Sequence, residues 1–168
     1  IDHLEGSIMF WPYMAVVDAF QHWVYENPEE GADPQACGDQ WESLAQRYMT
    51  NVDWSGLEHY RRAGWQQKLH IHTVPLYYVE YGLAQLGAAQ IWANSLEDHP
   101  AAVTAYREAL ALGGPVPLRE PIAAAGAQLA FDAHTWGKAA TRPEKTIDHL
   151  DEPWHSCALP LAFYPHPL

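Results

Sequence analysis

An all-α fold is predicted by three observations. No segment alternates apolar and polar residues with a period of two for any length. Apolar residues recur instead at helical spacing through most of the chain. Helix punctuation, as Asp-Pro starts and a Gly-Gly stop, marks several of the ends. An irregular helical bundle satisfies all three.

The first block, 4–25, carries Leu4, Ile8, Met9, Phe10, Trp11, Met14, Val16, Val17, Phe20, Trp23 and Val24 on nearly every face. A helix apolar all round is a buried helix, and Pro12 predicts a kink or break in its first third. Asn27-Pro28-Glu29-Glu30-Gly31 reads as a loop from its turn residues. Asp33-Pro34 then starts a second helix, Asp as N-cap and Pro at the first helical position. Trp41, Leu44, Ala45, Tyr48 and Met49 give it an amphipathic spacing. Asp53-Trp54-Ser55 starts a third, reaching Lys68, marked by Leu57, Tyr60 and Trp65.

Pro75 opens a fourth helix that runs to Asn94, with Gly82, Ala84, Gly87, Ala88 and Ala89 small enough for neighbours to approach closely. Asp98-His99-Pro100 caps a fifth, ended by Gly113-Gly114. A short sixth helix is expected over 117–126, another turn or two over 132–138, and a last helix over 142–151 with Pro143 near its start. The remainder holds four prolines and no periodicity. The organisation is therefore a helical domain over 1–151 and an irregular Pro-rich tail over 152–168. Residues 101–112 resemble one helix of a tetratricopeptide repeat, but such arrays need several copies at a period of about 34 residues, and no second copy is present.

At 168 residues, 48% of them apolar, the chain suits one domain with a real core. Eight tryptophans and nine tyrosines predict packing dominated by large rigid side chains. A net charge of −12 argues for solubility and against nucleic acid or an anionic membrane as partner, because both require basic patches. Cys37 and Cys157 have no metal-ligand spacing, so free thiols are expected rather than a disulfide. The apolar run 8–17 is too short to span a bilayer and lacks the basic start of a secretory signal. A cytoplasmic location is the expectation. The chain starts without Met and enters a helical pattern at once, as a fragment of something larger would.

The densest chemistry lies in Leu69-His70-Ile71-His72-Thr73-Val74-Pro75-Leu76-Tyr77-Tyr78-Val79-Glu80-Tyr81-Gly82-Leu83-Ala84-Gln85. With a helix starting at Pro75, Tyr77 and Tyr81 share a face, and Tyr78, Tyr81 and Gln85 line the adjacent stripe. His70 and His72, in the preceding turn, lean over them. Donors so arranged can stabilise an oxygen that gains charge during acyl transfer. Packing offers the plainer reading: core aromatics whose hydroxyls reach solvent or a carbonyl. His70-x-His72 together with Asp18 and His22, one helical turn apart, could hold a metal. Neither pair is specific, so no metal ligand is assigned. HExxH, a phosphate-binding glycine loop and the GxSxG nucleophile turn are all missing from the sequence.

Four ordered blocks carry a resemblance. The first runs from His3-Leu4-Glu5-Gly6-Ser7-Ile8-Met9-Phe10-Trp11-Pro12-Tyr13-Met14-Ala15 through Val17-Asp18-Ala19-Phe20-Gln21-His22-Trp23. The second is Val52-Asp53-Trp54-Ser55-Gly56-Leu57-Glu58, and the third is 69–88 around His70 and the tyrosines. The fourth is Tyr106-Arg107-Glu108-Ala109-Leu110-Ala111-Leu112-Gly113-Gly114 with Ala123-Ala124-Ala125-Gly126. Together they resemble the C-terminal part of zinc oligopeptidases of the oligoendopeptidase F and thimet oligopeptidase family, across most of 1–132.

That resemblance implies an almost wholly helical fold around a channel for short peptides. It implies a zinc held by an HExxH helix and a later glutamate, with the motif's Glu as general base. It also implies substrate and transition-state contacts from His70, Tyr77, Tyr78 and Tyr81. The zinc ligands would lie before residue 1, so this chain alone is expected to bind no cofactor. His72 and Leu76 depart from the bulky apolar residues expected there, and the end of the chain matches nothing in the family. The function so implied is that of a fragment or truncated homologue of a metallo-oligoendopeptidase. It would supply the His and Tyr wall, stay inactive alone, and partner short peptides and either a complementary N-terminal half or a second copy. The alternative is a non-catalytic helical module that binds peptides or self-associates.

Overall fold

The first apolar block forms α1 (Asp2–Glu26), one continuous helix that includes Pro12. The computed structural model describes residues 1–50 and 52–156, with 151–156 as backbone only. Pro12 removes one intrahelical hydrogen bond, a cost of about 3 kcal/mol in isolation. Side chains on both sides of it hold the helix together. Trp11 meets Trp136 edge-on at 5.5 Å between ring centroids, while Phe10 and Tyr13 lie 5.7 and 6.2 Å from Tyr78. Of the kink or break expected at Pro12, the break does not occur.

α2 (Pro34–Tyr48) begins where its residues predict. The Asp33 carboxylate accepts from the Gln35 backbone N–H at 2.9 Å, and Pro34 occupies the first turn. Such a cap contributes about 1 kcal/mol. The third helix starts later than expected. Asp53 is spent on a turn, accepting from the Ser55 N–H at 2.9 Å and its hydroxyl at 2.6 Å, and Gly56 turns the chain at φ +80°. α3 is therefore only Glu58–Ala63, followed by a 3-10 turn, Gly64–Gln67. Arg61 ties it to α2 with paired donors on the Glu42 carboxylate.

The helix expected from Pro75 starts later, and a short helix that was not expected precedes it. α4 (Leu69–Thr73) carries both histidines and ends before the proline. Val74 leaves the helical region, at φ −140° and ψ 65°, because the proline after it disfavours that region. Leu76 then adopts φ +61°, and α5 (Val79–Glu97) starts only after Tyr78. α6 (His99–Ala111) follows, with the Asp98 carboxylate accepting from Ala101 N–H at 3.0 Å, and Gly113 at φ +70° ends the segment as predicted.

α7 is Arg119–Ala124. The two short helices expected near the end are instead a single α8 (Ala133–Ser156), with Pro143 inside it. Asp132 opens it, accepting from both the N–H and the hydroxyl of Thr135 at 2.9 Å, which holds its carboxyl below the usual range. α8 thus extends five residues past 151 into the segment expected to be irregular. Cys157 and the rest of that tail lie outside the described residues.

α1 packs on α2, α5 and α8, and α5 packs on α6 and α8. The core where these meet is Met14, Val16, Val17, Phe20, Cys37, Trp41, Leu44 and Tyr78. Phe20 lies 5.3 Å from Trp41 and 5.8 Å from Trp65. Burial pushes the Cys37 thiol up, and its S–H donates to the Gly31 carbonyl. Among the described residues there is no β-strand, and no helix is long and apolar enough to cross a membrane.

Candidate functional site

A cleft of about 610 Å³ opens between the start of α1, α4 and the first half of α5. Its wall is built from Phe10, Lys68, His70, Tyr78, Tyr81 and Gln85, with Ala84 and Ala88 as its small floor. α4 is the reason His70 faces this space. The short helix turns back at the Val74-Pro75 step and leans His70 across the first turn of α5. His70 Nε2 lies 3.3 Å from the Tyr81 hydroxyl. Its ring meets those of Tyr78 and Tyr81 edge-on, at 5.0 and 5.4 Å.

Of the four sequence-predicted site residues, three share this cleft: His70, Tyr78 and Tyr81. Tyr77 does not line it. Its ring stands edge-on to Tyr81 at 5.5 Å and faces a second cavity of about 480 Å³ toward Leu118 and Ile122. Tyr81, 43% exposed, is the ridge between the two spaces. Tyr78 is only 6% exposed and belongs equally to the core. Tyr78 packs in the core, while the Tyr81 hydroxyl meets His70 at the cleft. Burial raises the Tyr78 phenol, and burial also raises Tyr13 against the pull of Lys68. These phenols remain protonated donors at neutral pH.

Two residues with parts in this geometry were not picked out by sequence reasoning. Lys68 Nζ donates to the Tyr78 hydroxyl at 2.8 Å and sits over the Tyr78 and Tyr13 rings at 4.1 and 4.9 Å. A signal was available, since no other Lys or Arg occurs between Arg62 and Arg107. Gln21 is the other. It is 1% exposed on α1, and its side-chain oxygen accepts from the Leu76 N–H at 2.7 Å. No local pattern points to that bond, which joins residues 55 apart in sequence.

The residues considered as metal ligands do not come together. Asp18 and His22 face each other at 3.7 Å on an exposed side of α1. His72 turns to Trp65, at 6.0 Å between rings, while His70 faces the tyrosines. Among the described residues no three His, Cys, Asp or Glu side chains are placed to share a metal ion, so those residues do not by themselves fit a zinc site.

No family model and no curated protein matches the chain. Among solved structures, it is similar to PZ peptidase A with an inhibitor, at 33% identity and a TM-score of 0.79, over 89% of this chain and 26% of that one. It is similar also to a protein assigned as an oligoendopeptidase F, at 34% identity and a TM-score of 0.80, over the same shares. The chain spans 26% of the length of these structures, and its all-helical fold matches a helical part of two peptidases.

Proposed function

We propose that this chain is part of the catalytic domain of a zinc oligopeptidase, and that the cleft of His70 and Tyr81 is a wall of its peptide-binding channel. One observation carries the reading: 89% of the chain follows the fold of two peptidases at 33–34% identity. The imidazole and phenol lining of the cleft suits it. In this role Tyr81 and His70 are donors to a substrate carbonyl, whose oxygen becomes more negative as the scissile carbon turns tetrahedral. Removal of one such donor typically costs about 10²–10³ in kcat. Tyr78 backs the wall from the core, and Tyr77 braces Tyr81. On this reading the zinc ligands are contributed by residues other than these 168.

Two results are expected of the isolated chain. It binds short peptides weakly without cleaving them, and Tyr81→Phe weakens that binding roughly two- to tenfold, the range for one neutral hydrogen bond. Calorimetry and an internally quenched peptide measure the two. Absence of peptide binding at millimolar concentration counts against the channel wall. Chelator-sensitive hydrolysis by the pure chain places the zinc ligands within it and overturns that part of the proposal.

The apolar surface beside the cleft favours a second reading, a self-associating module. Leu69, Val74, Leu76 and Tyr77, within nine residues of sequence, are 64, 43, 43 and 48% exposed, and exposed apolar surface of this kind suits docking. The remainder of a peptidase and a second copy of the chain are the two occupants. Light scattering that shows a monomer at high concentration removes the second copy.

A further inference from the structure

We propose that Lys68 anchors a carboxylate of the bound peptide in the His70–Tyr81 cleft, so that the site prefers acidic or free-acid peptides over neutral ones. The inference rests on the peptide-channel reading and adds a substrate class to it. Lys68 is the only charged side chain in the lining besides the titratable His70, and no carboxylate faces it there. Among the described residues, the ion pairs of the molecule involve His22, Arg61 and Arg62, not Lys68.

An ammonium has three donors, and Tyr78 accepts one of them. The rings of Tyr13 and Tyr78 hold the charge in place from the core side. Tyr13 draws on a second, which leaves one for a ligand in the cleft that Lys68 lines. Having accepted from Lys68, the Tyr78 hydroxyl still has its own proton to give. Ammonium and phenol therefore present two donors side by side, which suits the two oxygens of a carboxylate and makes the bonds charge-assisted. The rest of the chain argues for the same purpose. With a net charge of −12, the molecule repels anions in general, so a cation fixed inside a cleft creates a local exception.

A carboxylate reaches this position either from a peptide C-terminus or from a Glu or Asp side chain. Calorimetry on the full 168-residue chain separates the two with N-acetyl-Ala-Ala-Phe as free acid and as amide, and with N-acetyl-Ala-Glu-Phe-amide against its Gln counterpart. Either the free acid or the Glu peptide is expected to bind about tenfold tighter than its neutral partner, the span of one charge-assisted bond. That preference should shrink with added salt, vanish in Lys68→Met and persist in Lys68→Arg, with far-UV circular dichroism reporting that each variant is folded. Equal binding within both pairs by the wild-type chain overturns the anchor and leaves the peptide channel standing. No binding of any of the four peptides overturns both.

Discussion

Phe20→Ala is expected to lower the free energy of unfolding by about 3–5 kcal/mol, the range for removing a fully buried phenylalanine. Phe20 is 1% exposed, and its ring is the point where three tryptophans from three parts of the chain converge. Trp23 stacks on it at 6.1 Å, Trp41 of α2 meets it edge-on at 5.3 Å, and Trp65 of the 3-10 turn lies at 5.8 Å. Rings of that size cannot slide inward to fill the space, so the cavity remains and adds to the lost transfer energy. Against a total stability of about 5–15 kcal/mol, the loss leaves little. Urea denaturation measures it, with Tyr25→Ala as the control. Tyr25 sits on the same helix but is 60% exposed, and its loss should stay within about 0.5 kcal/mol. Similar midpoint shifts for the two variants would mean that the tryptophan cluster is not the centre of the fold.

Gln21→Leu should cost about 1 kcal/mol, the net contribution of one part-buried hydrogen bond. The substitution keeps the volume and leaves the Leu76 N–H without its acceptor. Leu76 holds φ +61°, a left-handed conformation that costs a residue with a Cβ roughly 1–2 kcal/mol. That strain persists because the Gln21 oxygen, 2.7 Å away, secures the loop from below. Leu76→Gly relieves the strain but loosens the unfolded chain by a similar amount, so alone it should be nearly neutral. In the Gln21→Leu background it should recover part of the loss. Amide exchange at Leu76 is the direct readout. Unchanged exchange in Gln21→Leu would sink the idea that this bond holds the loop.

The loop matters because it decides where the tyrosines go. Its placement was also the part of the site least legible in the sequence. His70, Tyr78 and Tyr81 were recognisable as a group from their types and closeness. Their division was not, because it follows from the helix starting at Val79 instead of Pro75. With the earlier start, Tyr77 and Tyr81 would share one helical face into the cleft. With the later one, Tyr78 falls into the core and Tyr77 to the far side of Tyr81.

Helix ends with a local cause were readable. Asp33 and Asp98 cap their helices from within three residues, and both starts came out where the side chains place them. Prolines deep inside a helix were not readable, since Pro12 and Pro143 both lie within continuous helices. At Pro12, rings from α8 and the start of α5 offset what the backbone loses.

The sequence by itself determined the all-α class, most helix locations and the segment in which the chemistry lies. Those properties depend on periodicity and on contacts between near neighbours. Tertiary structure alone decided that His70 meets Tyr81, that Tyr77 turns away, and that Lys68 stands charged against Tyr78 in the cleft. Each of these depends on a loop held by Gln21, and a hydrogen bond across 55 residues leaves no trace in local spacing.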